Sequence, residues 1–485
     1  MKLKLRVITI VAGPVAGAAV YACLPSGFTS ANGDAVLLDA GVRGVIALAA
    51  WMALWWIAEV IPMAVTALLP VTLLPLFGIT TFKEAAGSYA HPLIFLFLGG
   101  FLISIALQKW GLHRRFAVSL LRRVGTRPDR LVAGFMVATA FLSMWLSNTA
   151  TTIMMLPIAL SVISDRDDSA GFATCLLLAI AYSASIGGMA TLIGTPPNLF
   201  VASYFSDALG KEIGFMTWMM IGVPCAALLL PATWFYLTRL HFPEVSRITA
   251  AGALPGGTGL AWRDLDAGAR IALVVFALVA GGWMLRPLVA EITWFGHTPF
   301  ANLSDAGIAL VGALALFCLP VNFADRKFVL EWPDTVEVPW GTLLLFGGGL
   351  SLAASINATG ADQIIGQWFS RLPVVNALLL ALAIVALVIF LTELTSNIAT
   401  TATLVPVLAA AAPLLGLDVE MTIILVALAA SCAFMLPVAT PPNAIVFGSG
   451  RVRAQDMAAA GVTMNLMALV VISAAGRFLI PLVLR

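Results

Sequence analysis

Thr-Pro-Pro-Asn occurs twice, at 195–198 and at 440–443, each time inside an apolar stretch too long for one straight membrane helix. Proline in mid-span removes a backbone hydrogen bond, and lipid offers nothing in its place. The stretches 171–206 and 419–450 are therefore expected to fold as two half-helices around a break. Two more blocks repeat with them. Leu98-Gly99-Gly100 with Gly111 matches Gly347-Gly348-Gly349 with Gly360, 249 residues apart. Ser147-Asn148-Thr149-Ala150-Thr151-Thr152 with Pro157 matches Ser396-Asn397-Ile398-Ala399-Thr400-Thr401 with Pro406 at the same offset. The Thr-Pro-Pro-Asn pair lies 245 apart. Three blocks in one order describe a chain made of two related halves.

Composition fixes the solvent of those halves. Hydrophobic residues make up 61% of the 485 and charged residues only 10%, against about 25% charged in soluble domains. Mean hydropathy is +1.01. Such a chain cannot clothe itself in water, so the fold class is an all-α polytopic membrane protein. A net charge of +2 gives no electrostatic case for nucleic acid. Cys23, Cys175, Cys225, Cys318 and Cys432 stand singly in apolar surroundings, and His91, His113, His241 and His297 are far apart, so neither a disulfide framework nor a zinc knuckle is expected. There is no Gly-rich phosphate loop for ATP.

Apolar runs predict spans near 5–24, 42–58, 62–79, 92–110, 171–206, 215–238, 271–290, 306–320, 339–358, 419–450 and 457–483. The runs 131–164 and 374–415 are interrupted near their centres by Ser-Asn. Loop charge decides how to count them. Lys109, Arg114, Arg115, Arg122, Arg123, Arg127 and Arg130 crowd into one segment, a cytoplasmic signal. Most of the basic residues fall on that side only if both interrupted runs return to the side they came from. The expectation is about 11 transmembrane helices plus two re-entrant hairpins, with an uncleaved first span, the N-terminus (Lys2, Lys4, Arg6) in the cytoplasm and Arg485 outside. The first copy then starts outside and the second inside, an inverted repeat of the kind that builds secondary transporters around a midplane site. Expected domains are scaffold over 1–127, transport domain over 128–210, a linking span, the polar linker 243–266 and scaffold over 211–372, and transport domain with the last span over 373–485.

The four segments 131–164, 171–206, 374–415 and 421–450 contain no Lys, Arg or His and one acid, Glu393, yet are rich in Ser, Thr and Asn. Oxygen donors suit a hard cation such as Na⁺, and free N–H groups at half-helix starts suit an anion. A dianion without an arginine would be badly desolvated, so co-bound Na⁺ is expected to supply the positive charge. Asn148 and Asn397 can each donate to a carboxylate and accept from a cation shell. Thr149 adds a hydroxyl that its counterpart Ile398 lacks. For Glu393 a direct role and bonding to a neighbouring segment both remain open, and Glu59 is expected to be structural. Helix capping would by itself explain any one tip residue. The tryptophans Trp51, Trp55, Trp56, Trp110 and Trp340 fit interface belts.

The run Ser431-Cys432-Ala433-Phe434-Met435-Leu436-Pro437-Val438-Ala439-Thr440-Pro441-Pro442-Asn443-Ala444-Ile445-Val446, with the paired Ser-Asn tips, resembles the signature of the divalent anion/sodium symporter family. The resemblance covers nearly the whole chain. It implies a homodimer in the cell membrane whose protomers carry a mobile transport domain, an elevator. It implies one Na⁺ site from Ser143, Ser147, Asn148 and the Gly194 backbone, and another from Thr392, Thr395, Ser396, Asn397 and the Ala439 backbone. Substrate carboxylates would meet Asn148, Thr149, Asn397, Ile398, Thr440 and Pro441. The second tip departs from the family's Ser-Asn-Thr by Ile398, which makes the two carboxylate pockets unlike. The expected function is Na⁺-coupled symport of C4-dicarboxylates such as succinate, malate and fumarate, with no organic cofactor. Alternatives within the family are a Na⁺-independent exchanger or a Na⁺-coupled sulfate or citrate carrier. An enzyme is not expected, because no Ser/His, HExxH or paired-acid arrangement is present.

Overall fold

A computed structural model describes residues 2–25, 27–29, 35–164, 170–247, 261–293, 297–322, 326–361, 364 and 376–484. Most of the polar linker, the expected boundary at 372 and Arg485 lie outside the described residues. The main helices in chain order are α1 (Lys2–Cys23), α2 (Ala40–Ala58), α3 (Leu69–Leu76), α4 (Pro92–Lys109), α5 (Leu112–Val124), α6 (Pro128–Ser143), α7 (Asn148–Ser164), α8 (Ala170–Gly188) and α9 (Pro196–Leu209). They continue with α10 (Phe215–Phe235), α11 (Ala267–Ala290), α12 (Asp305–Cys318), α13 (Trp340–Thr359), α14 (Ala377–Thr392), α15 (Asn397–Ala411), α16 (Val419–Ala430), α17 (Pro441–Gly448) and α18 (Ala454–Ala474). Two short antiparallel strand pairs, one of them joining α1 to α2, are the strands among the described residues.

Both long stretches break where the prolines require it. Helix α8 stops at Gly188 and α9 starts at Pro196; α16 stops at Ala430 and α17 starts at Pro441. Each second half-helix begins on the first proline of its motif, where the missing N–H has no intrahelical partner to lose. The interrupted runs behave alike: α6 ends at Ser143 and α7 begins at Asn148, while α14 ends at Thr392 and α15 begins at Asn397. All four boundaries keep the 249 offset. The matched glycines Gly111 and Gly360 take positive φ, 64° and 74°, and end α4 and α13 in the left-handed conformation that glycine tolerates.

One expected span is split. Residues 62–79 form a single turn, Met63–Thr66, and then α3. Pro70 has no N–H to give to the Thr66 carbonyl, so one continuous helix cannot form there.

Among the described residues, eight helices are long and apolar enough to cross a membrane, and six further apolar helices are shorter. Large apolar side chains face outward, with Leu278, Leu288 and Val311 at 70%, 68% and 69% exposure. A soluble protein does not bare such a girdle. This is a multi-pass membrane protein.

The two halves interlock. Helix α8 packs on α6 and α7, and α16 on α14 and α15. Each half-helix then crosses over: α9 packs on α15 and α16, while α17 packs on α7 and α8. Residues 172–188 and 422–430, the first half-helices of the two broken stretches, are wholly buried at the centre. Around this core stand α2, α4, α12 and α13, with α4 against α12 and α13 against α2.

Candidate substrate and cation site

The four breaks open onto one cavity of about 890 Å³. The tips supply Ser147, Asn148, Thr149, Thr395, Ser396, Asn397 and Ile398. The breaks supply Gly194, Ala439, Thr440 and Pro441, and α4 provides an opposing wall with Phe97, Phe101, Ser104 and Gln108. Every sequence-derived site residue except Ser143 and Thr392 lines this space. Those two are fully buried directly behind it.

Ser143 Oγ lies 2.6 Å from Asn148 Oδ1 and 2.7 Å from the Ala184 carbonyl. Thr392 Oγ1 lies 2.9 Å from Asn397 Oδ1 and 3.1 Å from the Ala430 carbonyl. A hydroxyl has one proton and can satisfy one of the two acceptors at a time. Each cluster therefore holds three oxygens with a single proton among them, and lone pairs to spare. Oxygen-only donor sets of this kind fit Na⁺. Gly188 makes the first cluster possible, because a Cβ there would fall 2.4 Å from Asn148 Oδ1.

Capping explains part of the tips. Ser147 Oγ accepts from the Ala150 amide at 3.2 Å, whereas Ser396 makes no such cap. Thr440 Oγ1 accepts from the Asn443 amide at 3.3 Å, which leaves its own proton free to donate into the cavity. Pro441 has no N–H and contributes shape. Thr149 and Ile398 both line the cavity, so the two Ser-Asn segments differ there by a hydroxyl.

The breaks are held open by side chains the sequence had left unassigned. Asn198 Nδ2 donates to the carbonyls of Gly188 (3.1 Å) and Thr191 (2.7 Å). Asn443 Nδ2 does the same to Ala433 (3.2 Å) and Leu436 (3.0 Å). Their recurrence in Thr-Pro-Pro-Asn was the signal that could have identified them. Glu393 has no counterpart in the first half. Its Oε1 accepts from the amides of Phe434 (2.7 Å) and Met435 (2.9 Å) and from Asn465 Nδ2 (2.8 Å), and Oε2 from Leu436 N at 3.0 Å. It does not line the cavity, so of its two open roles the structure takes the bond to the neighbouring break. Position 144 replaces it in the first copy, where the Met144 carbonyl accepts from Thr191 Oγ1 at 2.5 Å.

The electrostatics of the lining are one-sided. It contains no Lys, Arg or His, and two acids, Glu59 and Glu337. Glu59 ends α2 in a left-handed conformation (φ 45°), at the span end where it was expected, and also lines the cavity. No group of three or more His, Cys, Asp or Glu that could hold a metal exists among the described residues.

A citrate transporter family profile matches residues 53–431. The sodium-dependent dicarboxylate transporter SdcS of Staphylococcus saprophyticus is 38% identical over 466 residues, 92% of this chain and 88% of that protein. Its Staphylococcus aureus namesake is 37% identical over 460 residues, 91% and 86%. The chain belongs to the divalent anion/sodium symporter family. Symporter-family membership makes it a transporter and not an enzyme. Two solved transporters share its fold. The Alcanivorax borkumensis YdaH transporter superposes with a TM-score of 0.61 at 16% identity, over 97% of this chain and 96% of its own. Neisseria gonorrhoeae MtrF gives 0.61 at 12%, over 98% and 94%.

Proposed function

We propose that this protein carries C4-dicarboxylates such as succinate, malate and fumarate across the cell membrane together with Na⁺. One observation carries the reading: the cavity that should receive a dianion has no cationic side chain and two carboxylates of its own, flanked by two oxygen clusters short of protons. A dianion entering alone would lose its hydration without replacement. Na⁺ at each cluster removes that deficit, and substrate affinity becomes conditional on Na⁺. That is coupling. The names of the staphylococcal relatives support the same reading.

In this scheme Ser143, Ser147, Asn148 and the Gly194 carbonyl hold one Na⁺. Thr392, Thr395, Ser396, Asn397 and the Ala439 carbonyl hold the other. The substrate's carboxylates meet Asn148 and Thr149 at one end and Asn397, Thr440 and Pro441 at the other, with Ile398 as the apolar side of the second pocket. Helices α6–α9 and α14–α17 move as a transport domain past a dimeric scaffold in an elevator cycle. The topology is that of eleven spans and two re-entrant hairpins in an inverted repeat, with the N-terminus inside and the C-terminus outside. The interlocked packing of α9 and α17 supports treating the eight helices as one moving body.

The test is uptake of labelled succinate into proteoliposomes with and without an inward Na⁺ gradient. Gradient-dependent uptake is expected. Equal uptake in choline, accelerated by internal dicarboxylate, would instead identify an exchanger.

A further inference from the structure

Helix α4, the cavity wall, and helix α9, the second half of the first broken stretch, are tied together by one polar pair. His91 Nε2 lies 3.0 Å from Asp207 Oδ1, with the two side chains 11% and 30% exposed. His91 also caps the start of α4, where its Nδ1 accepts from the Leu93 amide at 3.3 Å. The proton of the neutral ring is therefore on Nε2, which donates to Asp207. Among the described residues, no lysine or arginine pairs with Asp207.

Each partner is anchored in a different part of the molecule. The turn before His91, Ser88–Ala90, packs on α13, and the Tyr89 ring sits where a Cβ on Gly347 would come within 2.2 Å of it. Asp207 belongs to α9, which packs on α15 and α16, and just past its end Lys211 pairs with Glu420. Helix α9 touches α13 as well, through Phe200 against Gly349. That contact is apolar and non-directional, so one surface can slide over the other. The His91–Asp207 bond has no such freedom. Neither residue lines the cavity. Phe97, the first cavity residue of α4, is six positions on from His91, about 9 Å along the helix, and Asp207 is ten positions, about 15 Å, beyond Pro197. The exposed cavity acid Glu337 belongs to the opposite end of α4, where Asp334 of the same turn takes Lys109 at 2.6 Å.

We infer, resting on the proposed movement of α6–α9 and α14–α17 past the scaffold, that His91–Asp207 is a latch. It holds α9 against α4 in the state whose cavity reaches the Glu337 end, and it parts before the other end can open. Alternating access requires one body to shift against the other around the site. In that shift Asp207 leaves with α9 while His91 stays with α13, and an N–H···O bond is lost beyond about 3.5 Å.

The test joins the two positions covalently. In the full chain carrying Cys23→Ser and Cys318→Ser, which removes the exposed thiols, His91→Cys and Asp207→Cys are bridged with a short bifunctional methanethiosulfonate. In proteoliposomes with Na⁺ on both sides, exchange of labelled for unlabelled succinate should be lost on bridging and return with reductant. Succinate should still raise the thermal midpoint of the bridged protein, because the held state keeps its cavity. Exchange by the bridged protein at the unbridged rate overturns the inference. So does loss of the succinate-induced shift, which would mean that the bridge shuts the cavity instead of holding it. Thiols that fail to bridge overturn it as well. Exchange needs no gradient, so a failure of Na⁺ coupling would leave the latch standing. Should the wild type move no succinate, or the double-cysteine protein be inactive before bridging, spin labels on the two cysteines decide. Two distance populations with and without Na⁺ uphold the latch, and a single unchanged one overturns it.

Discussion

Glu393→Gln isolates what one buried carboxylate does for the second break. Glu393 is 3% exposed and accepts four hydrogen bonds, three of them from consecutive amides, Phe434 to Leu436. Glutamine keeps one oxygen and presents an N–H₂ group where the other was. With the oxygen left facing Phe434 and Met435, the Leu436 amide confronts a donor and loses its partner, at a cost of about 1–3 kcal/mol. The remaining bonds lose charge assistance, which is worth roughly 1 kcal/mol each. Relief of the buried charge offsets little of this locally, because opening the break leaves residue 393 inside the protein. Opening breaks only the bonds to Phe434, Met435 and Leu436, so the break should open more easily by about 3–5 kcal/mol, a factor of roughly 150 to 5,000. Hydrogen exchange on peptides covering 432–440 is the direct assay, and a faster exchange by about two decades or more is expected there. The first break supplies an internal control, since 189–195 is tied through Thr191 to the Met144 carbonyl and should not change. Na⁺ activation of uptake should shift to higher concentration in parallel, because Ala439 and Thr440 end the loosened segment. Unaltered exchange across 432–440 would refute the clamp.

Asn148→Ala and Asn397→Ala should each abolish Na⁺-driven uptake while the protein still elutes as a single species; near-normal uptake by either would reduce the tips to helix caps. Gly188→Ala should cut uptake at least tenfold with little change in thermal midpoint, because its Cβ would sit 2.4 Å from Asn148 Oδ1. An unchanged Na⁺ activation curve in that variant would mean that Asn148 does not hold the cation. Ile398→Thr should raise the affinity for succinate relative to citrate and sulfate, by a net of about 0.5–1.5 kcal/mol for the added hydrogen bond. Competition against labelled succinate measures it, and unaltered inhibition ratios would remove Ile398 from the substrate's surroundings.

The sequence alone carried the membrane environment, the two related halves, the places where helices must break and the tip residues. Each is local information. A proline in an apolar run, a Ser-Asn in mid-span and a motif repeated at a fixed offset have physical consequences wherever the rest of the chain goes. The positions of Asn148 and Asn397 at the starts of α7 and α15 follow from those consequences, and both residues line the cavity. Other features depended on which segments meet. The carbonyls of Ala184 and Ala430 have no side-chain signature, and they reach the site only because α8 packs on α6 and α7, and α16 on α14 and α15. Glu393 could have faced the substrate or a neighbouring backbone, and only the approach of residues 434–436, some forty positions away, gave its carboxylate to the break. Glu59 does end a span, α2, and only the packing of the following turn made it part of the cavity wall as well. The crossing of α9 and α17 into opposite halves, which joins four separate breaks into one cavity, is likewise a property of packing: buried apolar faces name no partner until close contact selects one that fits.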